Sequence, residues 1–333
     1  MSAPVTKYNH SDVPIENHKE NNNLIDLDNA HKDFYELFTS NPNKDMLGYA
    51  YLVDNSYYED LILENPDYYL FRDEVTAIKE NAVIFSSNLL NTIEAIEIGP
   101  GYGHVLEGKT IPILKYCKDL KQYHAIDISQ SYLEKIEKFL LDNTNYKVTT
   151  TQADLLNSQI KIPDIGGKKA ILFLGGTIGN FDQEQQSKCI QQIANIAQTG
   201  DKLIITFDNN HNKSSLTKAY LNQYALNFVL NIIRFYAEIN YDFKLYQNHF
   251  SVIFSWDELE EAVEINFISK ESFSFYIPNH GLVNIQEGQR FKTVKSRKFS
   301  LLKIQNLLNN HEFVIKENIC YNAKINIIIA EKT

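Results

Sequence analysis

Apolar residues along this chain keep two rhythms. Short runs rich in Ile, Leu, Val and Phe recur at residues 93–98, 122–126, 146–152, 169–174 and 202–207, and their length and composition predict strands. Between them, residues 109–118, 129–142 and 183–197 carry the three-to-four spacing of amphipathic helices. Strands alternating with helices imply a parallel sheet covered on both faces. Ahead of this block, residues 33–39, 57–63 and 72–88 read as helices, with the turn Pro66-Asp67-Tyr68-Tyr69 opening the last. Behind it the rhythm changes. Residues 209–215 form a polar linker, 216–236 predict one long helix, and 263–269 and 272–277 are strand-like. Residues 313–320 and 325–330 return to a strand pair that can complete the sheet.

The expected fold is therefore α/β: a Rossmann-like sheet with an additional α+β lobe. Residues 69–208 plus 298–333 form the sheet domain, and 30–68 plus 209–297 the second lobe. Residues 1–29 are a polar, Asn-rich and partly disordered start.

Composition narrows the partners. The 333 residues are 44% hydrophobic and 22% charged, as in a soluble globular protein. The net charge of −10 argues against nucleic acid and anionic membrane surfaces. No apolar run approaches the ~20 residues that span a bilayer, and no signal peptide is visible. Cys117, Cys189 and Cys320 are scattered and odd in number, with neither disulfide framework nor metal spacing. A reducing cytoplasm and a monomer or weak homo-oligomer fit. Twenty Tyr and nineteen Phe suit aromatic pocket walls as well as cores.

The candidate chemistry sits after the strands. Glu97-Ile98-Gly99-Pro100-Gly101-Tyr102-Gly103 follows the first strand. Its glycines let a ligand approach the backbone closely. The dinucleotide fingerprint needs a further glycine where His104 stands, which turns the reading from NAD toward S-adenosylmethionine. That ligand has no pyrophosphate and carries amino and sulfonium groups that an acid such as Glu97 favours. Asp127 ends the second strand, where a carboxylate can accept both ribose hydroxyls or cap the next helix. Asp154-Leu155 follows the third, where Asp154 can accept from an adenine amino group or close a surface turn. Gly175-Gly176-Thr177-Ile178-Gly179-Asn180 follows the fourth. It can admit a transferred methyl group, with Asn180 serving an amine or carboxylate, or it can be a tight turn with an Asn cap. On the long helix, Tyr220, Tyr224, Asn227 and Asn231 share one face, either a pocket wall or a solvated stripe.

These residues resemble the histidine-specific S-adenosylmethionine-dependent methyltransferase family over about residues 45–333. Phe173 to Phe181 carries the most specific string, in which the family has Ser at Gly176. Tyr51 to Ser56, Pro66 to Tyr69, Arg72-Asp73-Glu74, Ala219-Tyr220 and Thr293 to Phe299 carry the rest. The resemblance implies a methyltransferase sheet plus a substrate-binding lobe, with S-adenosylmethionine as cofactor and no metal. It implies that Glu97, Gly99, Gly101, Gly103, Asp127, Asp154 and Leu155 hold that cofactor. It places Tyr51, Tyr68, Gly175, Asn180 and Tyr220 around the α-amine and α-carboxylate of an amino-acid acceptor. Asn180 would orient the amine, Tyr51 would stand beside it, and Tyr68 and Tyr220 would hold the carboxylate.

Two departures bear on the acceptor's side chain. The family's Glu in Thr-Glu-Ile-Ser aligns with Val294, its Ser with Ser296, and a usual Met aligns with Ile265. Losing the Glu removes a charge-assisted hydrogen bond of about 1.5–3 kcal/mol to an imidazole N–H, so a less polar acceptor, aromatic ones included, fits better than histidine. The glycine loop also reaches Lys109-Thr110 over more residues than in the family. The alternatives are a methyltransferase for another amine or hydroxyl, and a non-catalytic S-adenosylmethionine or metabolite binder.

Overall fold

The computed structural model describes residues 27–53, 56–240 and 247–333. Most of the Asn-rich start expected to be disordered, residues 1–26, lies outside them.

The five predicted strands form, with helical turns in every connection but the one from β3 to β4: β1 (Thr92–Ile98), β2 (Gln122–Asp127), β3 (Lys147–Gln152), β4 (Lys168–Phe173) and β5 (Lys202–Asp208). Next come β6 (Phe250–Asp257), β7 (Ala262–Ser269), β8 (Phe273–Ile277), β9 (Gly281–Ile285) and β10 (Arg290–Arg297). The hairpin of β11 (Phe313–Tyr321) and β12 (Ile325–Lys332) follows them. One seven-stranded sheet runs β11-β12-β5-β4-β1-β2-β3. The pairings among β1 to β5 are parallel, and β12 joins β5 antiparallel. This is the Rossmann-like arrangement, with the chain reversing direction across the sheet between β1 and β4, where a crevice opens at the strands' carboxyl ends.

Burial explains why most positions at the centre of the inner strands are apolar. Ala95, Ala170, Leu172, Ile204 and Ile327 face one core, and Ile96, Ile171, Leu203, Ile205 and Ile328 face the other. A strand covered on both faces has no solvent side on which to place polar residues. The edge strand β11 alternates buried and exposed positions instead. The first core runs on into the remaining elements, where Phe34, Phe38, Phe235, Tyr236, Phe250 and Phe291 pack together. There, β10-β7-β6 form an antiparallel sheet and β8-β9 a hairpin.

Three predicted helices are interrupted. The helix expected over 216–236 is three, Lys213–Tyr220, Gln223–Val229 and Asn231–Ile239. Asn222 causes the first break. Its Oδ1 accepts the Tyr224 and Ala225 N–H groups, and its Nδ2 donates to the Lys218 and Ala219 carbonyls, so one side chain caps both ends. The helix expected over 72–88 starts at Tyr69 and stops at Glu80, where the Asn81 Nδ2 donates to the Ala77 carbonyl. The helix expected over 109–118 is a π-turn, Leu106–Thr110, followed by Ile111–Leu114. It starts earlier than expected, directly against the glycine loop.

Candidate active site

The glycine loop leaves β1 with Gly99, Gly101 and Gly103 all in left-handed backbone, at φ 62°, 70° and 57°. At Gly99 a Cβ would meet nothing within 4 Å, and at Gly101 it would press on Val105 at 3.0 Å. The first therefore leaves a ligand open access to the backbone, while the second lets the chain fold onto the following turn. Glu97 stands behind this loop, 1% exposed. Its two oxygens accept from Thr110 at 3.0 Å and Tyr123 at 2.8 Å. Burial pushes its carboxyl up to about 7. Glu97 thus fastens the end of β1 to the helix after the loop.

Asp127 and Asp154 follow neighbouring strands, and the Ala153 N–H donates to the Asp127 carbonyl at 3.0 Å. The Asp127 Oδ1 accepts the Ser129 N–H at 2.8 Å. Ser129 itself caps the helix Gln130–Asn143, so Asp127 is not that helix's cap. Burial pushes the Asp127 carboxyl up to about 6. Asp154 closes its own turn, accepting from the Leu156 N–H at 2.8 Å and the Asn157 amide at 2.6 Å, and Leu155 is buried beside it.

The loop after β4 is held from two sides. Glu74, on the helix Tyr69–Glu80, accepts the Gly175 N–H at 3.0 Å and the Thr206 hydroxyl at 2.6 Å. Its other oxygen is 3.2 Å from the Lys109 ammonium, and both side chains are buried. A Cβ on Gly179 would stand 2.8 Å from the Arg297 carbonyl oxygen. The turn Thr177–Asn180 therefore lies directly on the end of β10, and Arg297 donates to the Phe181 carbonyl at 2.9 Å. Asn180 closes this turn, half-buried.

Aromatic side chains complete the enclosure. Tyr51, Tyr58 and Phe228 meet edge to face or tilted, with centroids 5.0–5.4 Å apart. Tyr68 meets Tyr220 at 5.9 Å. Tyr58, Tyr68, Lys109 and Gly175 line one small cavity. Burial holds the Tyr51 and Tyr68 phenols well above their ordinary pKa. Near neutral pH they are hydrogen-bond donors and not bases. Tyr220 reaches Ser296 on β10 at 3.1 Å, and Val294 is buried opposite Ile265 of β7.

Of the supposed polar helix face, only Tyr220 joins this group. The Asn222 break separates it from Tyr224 and Asn227, and Asn231 is fully buried, donating to the Ala50 carbonyl at 3.2 Å. Tyr58, Tyr69, Glu74, Asp208 and Lys298 were not singled out from sequence. Glu74 and Lys298 lie inside the motif strings, but other charged residues, Arg72-Asp73 and Lys295 with Arg297, stand beside them and nothing local marks them out.

Comparison with known proteins decides the class. Residues 53–325 match the family described as "Histidine-specific methyltransferase, SAM-dependent". The chain belongs to this family. Its fold is accordingly the Rossmann-like class I methyltransferase fold, and its cofactor is S-adenosylmethionine. Curated relatives include the "Histidine N-alpha-methyltransferase" of Mycobacterium tuberculosis (strain CDC 1551 / Oshkosh). It is 23% identical over 214 residues, which is 62% of this chain and 64% of that protein. The "Ergothioneine biosynthesis protein 1" of Neurospora crassa is 25% identical over 181 residues, 52% of this chain. The chain thus spans just under two thirds of the mycobacterial relative's length and 20% of the fungal one's. Among solved structures, a Pyrococcus horikoshii protein superposes at TM-score 0.49 and 11% identity, covering 85% of this chain and 98% of that one. A Clostridium acetobutylicum S-adenosylmethionine-dependent methyltransferase superposes at 0.45 and 16% identity, covering 83% and 96%. Among the described residues no helix is long and apolar enough to cross a membrane.

Proposed function

We propose that this chain methylates the α-amine of an amino-acid-like acceptor whose side chain is apolar or aromatic. The observation that carries this reading is the contact of Tyr220 with Ser296 of β10, 3.1 Å apart, on the strand that also holds buried Val294, where the family resemblance implies Glu. Polar groups remain for the common part of an amino acid, and the carboxylate for an imidazole is gone. Residues 30–68 and 209–297 form the acceptor lobe in this reading.

The residues present fit the cofactor. Gly99 leaves its backbone open, Asp127 presents a carboxylate at the end of β2, and Asp154 and Leu155 follow β3. Gly101 and Gly103 shape the loop, and Glu97 acts through Thr110 and Tyr123 by fixing it. When bound, S-adenosylmethionine supplies an electrophilic methyl group.

The chain's own residues then align and dry the acceptor. Asn180 orients the amine from a turn that Glu74 and β10 hold rigid. Tyr68 and Tyr220 donate to the carboxylate, and Gly175 leaves room beside them. Tyr51 stays protonated, so it offers the amine a lone pair and a ring face, which suits a methylated cation. No strong base is required, because an α-amine titrates near pH ~8 and a dry aromatic pocket favours its neutral form.

The test is methyl transfer from labelled S-adenosylmethionine to a panel of the twenty amino acids and biogenic amines, with mass spectrometry of the products. Turnover of an apolar or aromatic amino acid supports the reading. Exclusive turnover of histidine refutes the side-chain assignment, and exclusive turnover of hydroxyl acceptors refutes the amine assignment.

A further inference from the structure

Lys298 has a fully buried ammonium immediately after β10. It is 2.8 Å from Asp208 Oδ2, 2.8 Å from Ser296 Oγ and 3.0 Å from the Tyr220 hydroxyl. Both Asp208 oxygens are engaged: Oδ2 also accepts the Tyr69 hydroxyl at 2.6 Å, and Oδ1 accepts the Asn210 N–H at 2.9 Å. The ammonium's three protons are therefore all spent, one on a carboxylate and two on hydroxyl oxygens.

An ammonium only donates, so the Tyr220 and Ser296 oxygens both act as acceptors toward Lys298. Each keeps its own proton. The two oxygens share a single contact of 3.1 Å, which one O–H can occupy. Two protons and one contact leave one O–H without a use inside the pair. Among the described residues, these are the side-chain hydrogen bonds that the two hydroxyls make. The surplus donor stands beside Tyr68, whose ring lies against that of Tyr220. A hydroxyl pair without the lysine could present lone pairs or protons equally well.

We infer that Lys298 is a positioning residue that locks the Tyr220–Ser296 pair as a hydrogen-bond donor and so makes the acceptor pocket select a carboxylate. The inference rests on the acceptor reading above and adds to it the group that sets the pocket's polarity. Asp208 and Tyr69 matter here because they keep the ammonium in place and neutralise its charge, leaving the hydroxyls to speak to the ligand.

The experiment is calorimetry on the full chain loaded with S-adenosylhomocysteine. Its probes are the best-binding amino acid of the panel and that amino acid's decarboxylated amine. The variants are Lys298→Met/Asp208→Asn, which removes both charges together and leaves no orphaned ion, and Tyr220→Phe/Ser296→Ala, which removes both hydroxyls and leaves the Lys298–Asp208 pair intact. We expect the Lys298→Met/Asp208→Asn variant to weaken the amino acid at least about tenfold, the loss of one oriented bond to a charged group. The amine should stay within about twofold and S-adenosylhomocysteine affinity should not change. The variant without the two hydroxyls should shift the amino acid in the same direction, and it decides the matter if the Lys298→Met/Asp208→Asn variant does not fold. Equal weakening of both probes would mean a merely structural role and overturns the inference, as does an unchanged amino-acid affinity. A wild-type chain that binds both probes equally overturns the acceptor reading along with it. A wild-type preference for the carboxylate that both variants retain overturns Lys298 alone.

Discussion

Glu74 offers the sharpest test of how the site is held. It is 1% exposed and joins three otherwise separate pieces: Gly175 after β4, Thr206 on β5, and Lys109 after the glycine loop. Glu74→Ala removes the carboxylate and leaves the Lys109 ammonium buried without its counter-charge. Breaking a buried pair from one side costs about 3–5 kcal/mol. Unfolding entropy of about 2.1 cal/mol/K per residue gives about 0.7 kcal/mol/K for a chain of this length, so the melting temperature should fall by roughly 4–7 °C. Lys109→Met added to Glu74→Ala should restore part of that loss, because the orphaned charge goes with it. Thermal unfolding of the wild type, both single variants and the double variant closes the cycle. A fall below about 1 °C for Glu74→Ala, or a double variant as unstable as the sum of the singles, would refute the argument that the pair is coupled.

Four further outcomes are expected. Asn180→Ala should lower methyl transfer by more than about tenfold, the worth of one oriented hydrogen bond, with S-adenosylhomocysteine affinity nearly intact in calorimetry; undiminished transfer would remove Asn180 from the amine. Gly179→Ala forces a Cβ against the Arg297 carbonyl at 2.8 Å, so it should displace Asn180 and depress kcat/KM; wild-type kinetics would show that the turn is not clamped. Asp127 titrates at about 6, and its charged form is the better acceptor for a ribose, so cofactor affinity should decline as pH falls through 6. Asp127→Asn should bind more weakly and lose that pH dependence; a variant that keeps the wild-type profile would place the titration elsewhere. Glu97 is raised from 4.5 to about 7 by burial. Between these values the folded state keeps a proton that the unfolded state releases, so stability is fullest below about pH 4.5 and declines toward pH 7, by on the order of 3 kcal/mol. Glu97→Gln should flatten that decline in denaturant titrations across pH, and an unaltered slope would assign it to another group.

The parts of the site that could be read from sequence are those that a strand delivers. Gly99–Gly103, Asp127, Asp154 and the turn ending at Asn180 each follow a β-run directly, and in a parallel sheet the carboxyl ends of the strands gather at one edge. Local pattern therefore fixed their place without any knowledge of long-range contacts. The helix breaks were hidden for the opposite reason. Residues 216–236 keep a helical period throughout, but Asn222 satisfies backbone groups on both sides of itself, and a side-chain cap of this kind leaves no trace in periodicity. In β10 a bulge between Lys292 and Val294 spoils the two-residue alternation that would have announced a strand.

The supporting ions were invisible because their partners are remote. Glu74 meets Thr206 across 132 positions, and Lys298 meets Tyr220 across 78. Each looks in sequence like one solvated charge among several. Only the fold shows that neither reaches water, and a charge without water must be paired or lost. That requirement turns two unremarked residues into constraints on the same pocket. Glu74 decides where the Gly175–Asn180 turn can stand, and Lys298 decides which way the hydroxyls facing that turn's acceptor can point. In the proposed reading the acceptor's side chain is met by Val294 and Ile265, a buried apolar pair that imposes no direction at all. A pocket built this way is strict about the shared end of an amino acid and permissive about the variable end. Acceptor selectivity in the panel should accordingly be steep for the carboxylate and shallow among apolar side chains.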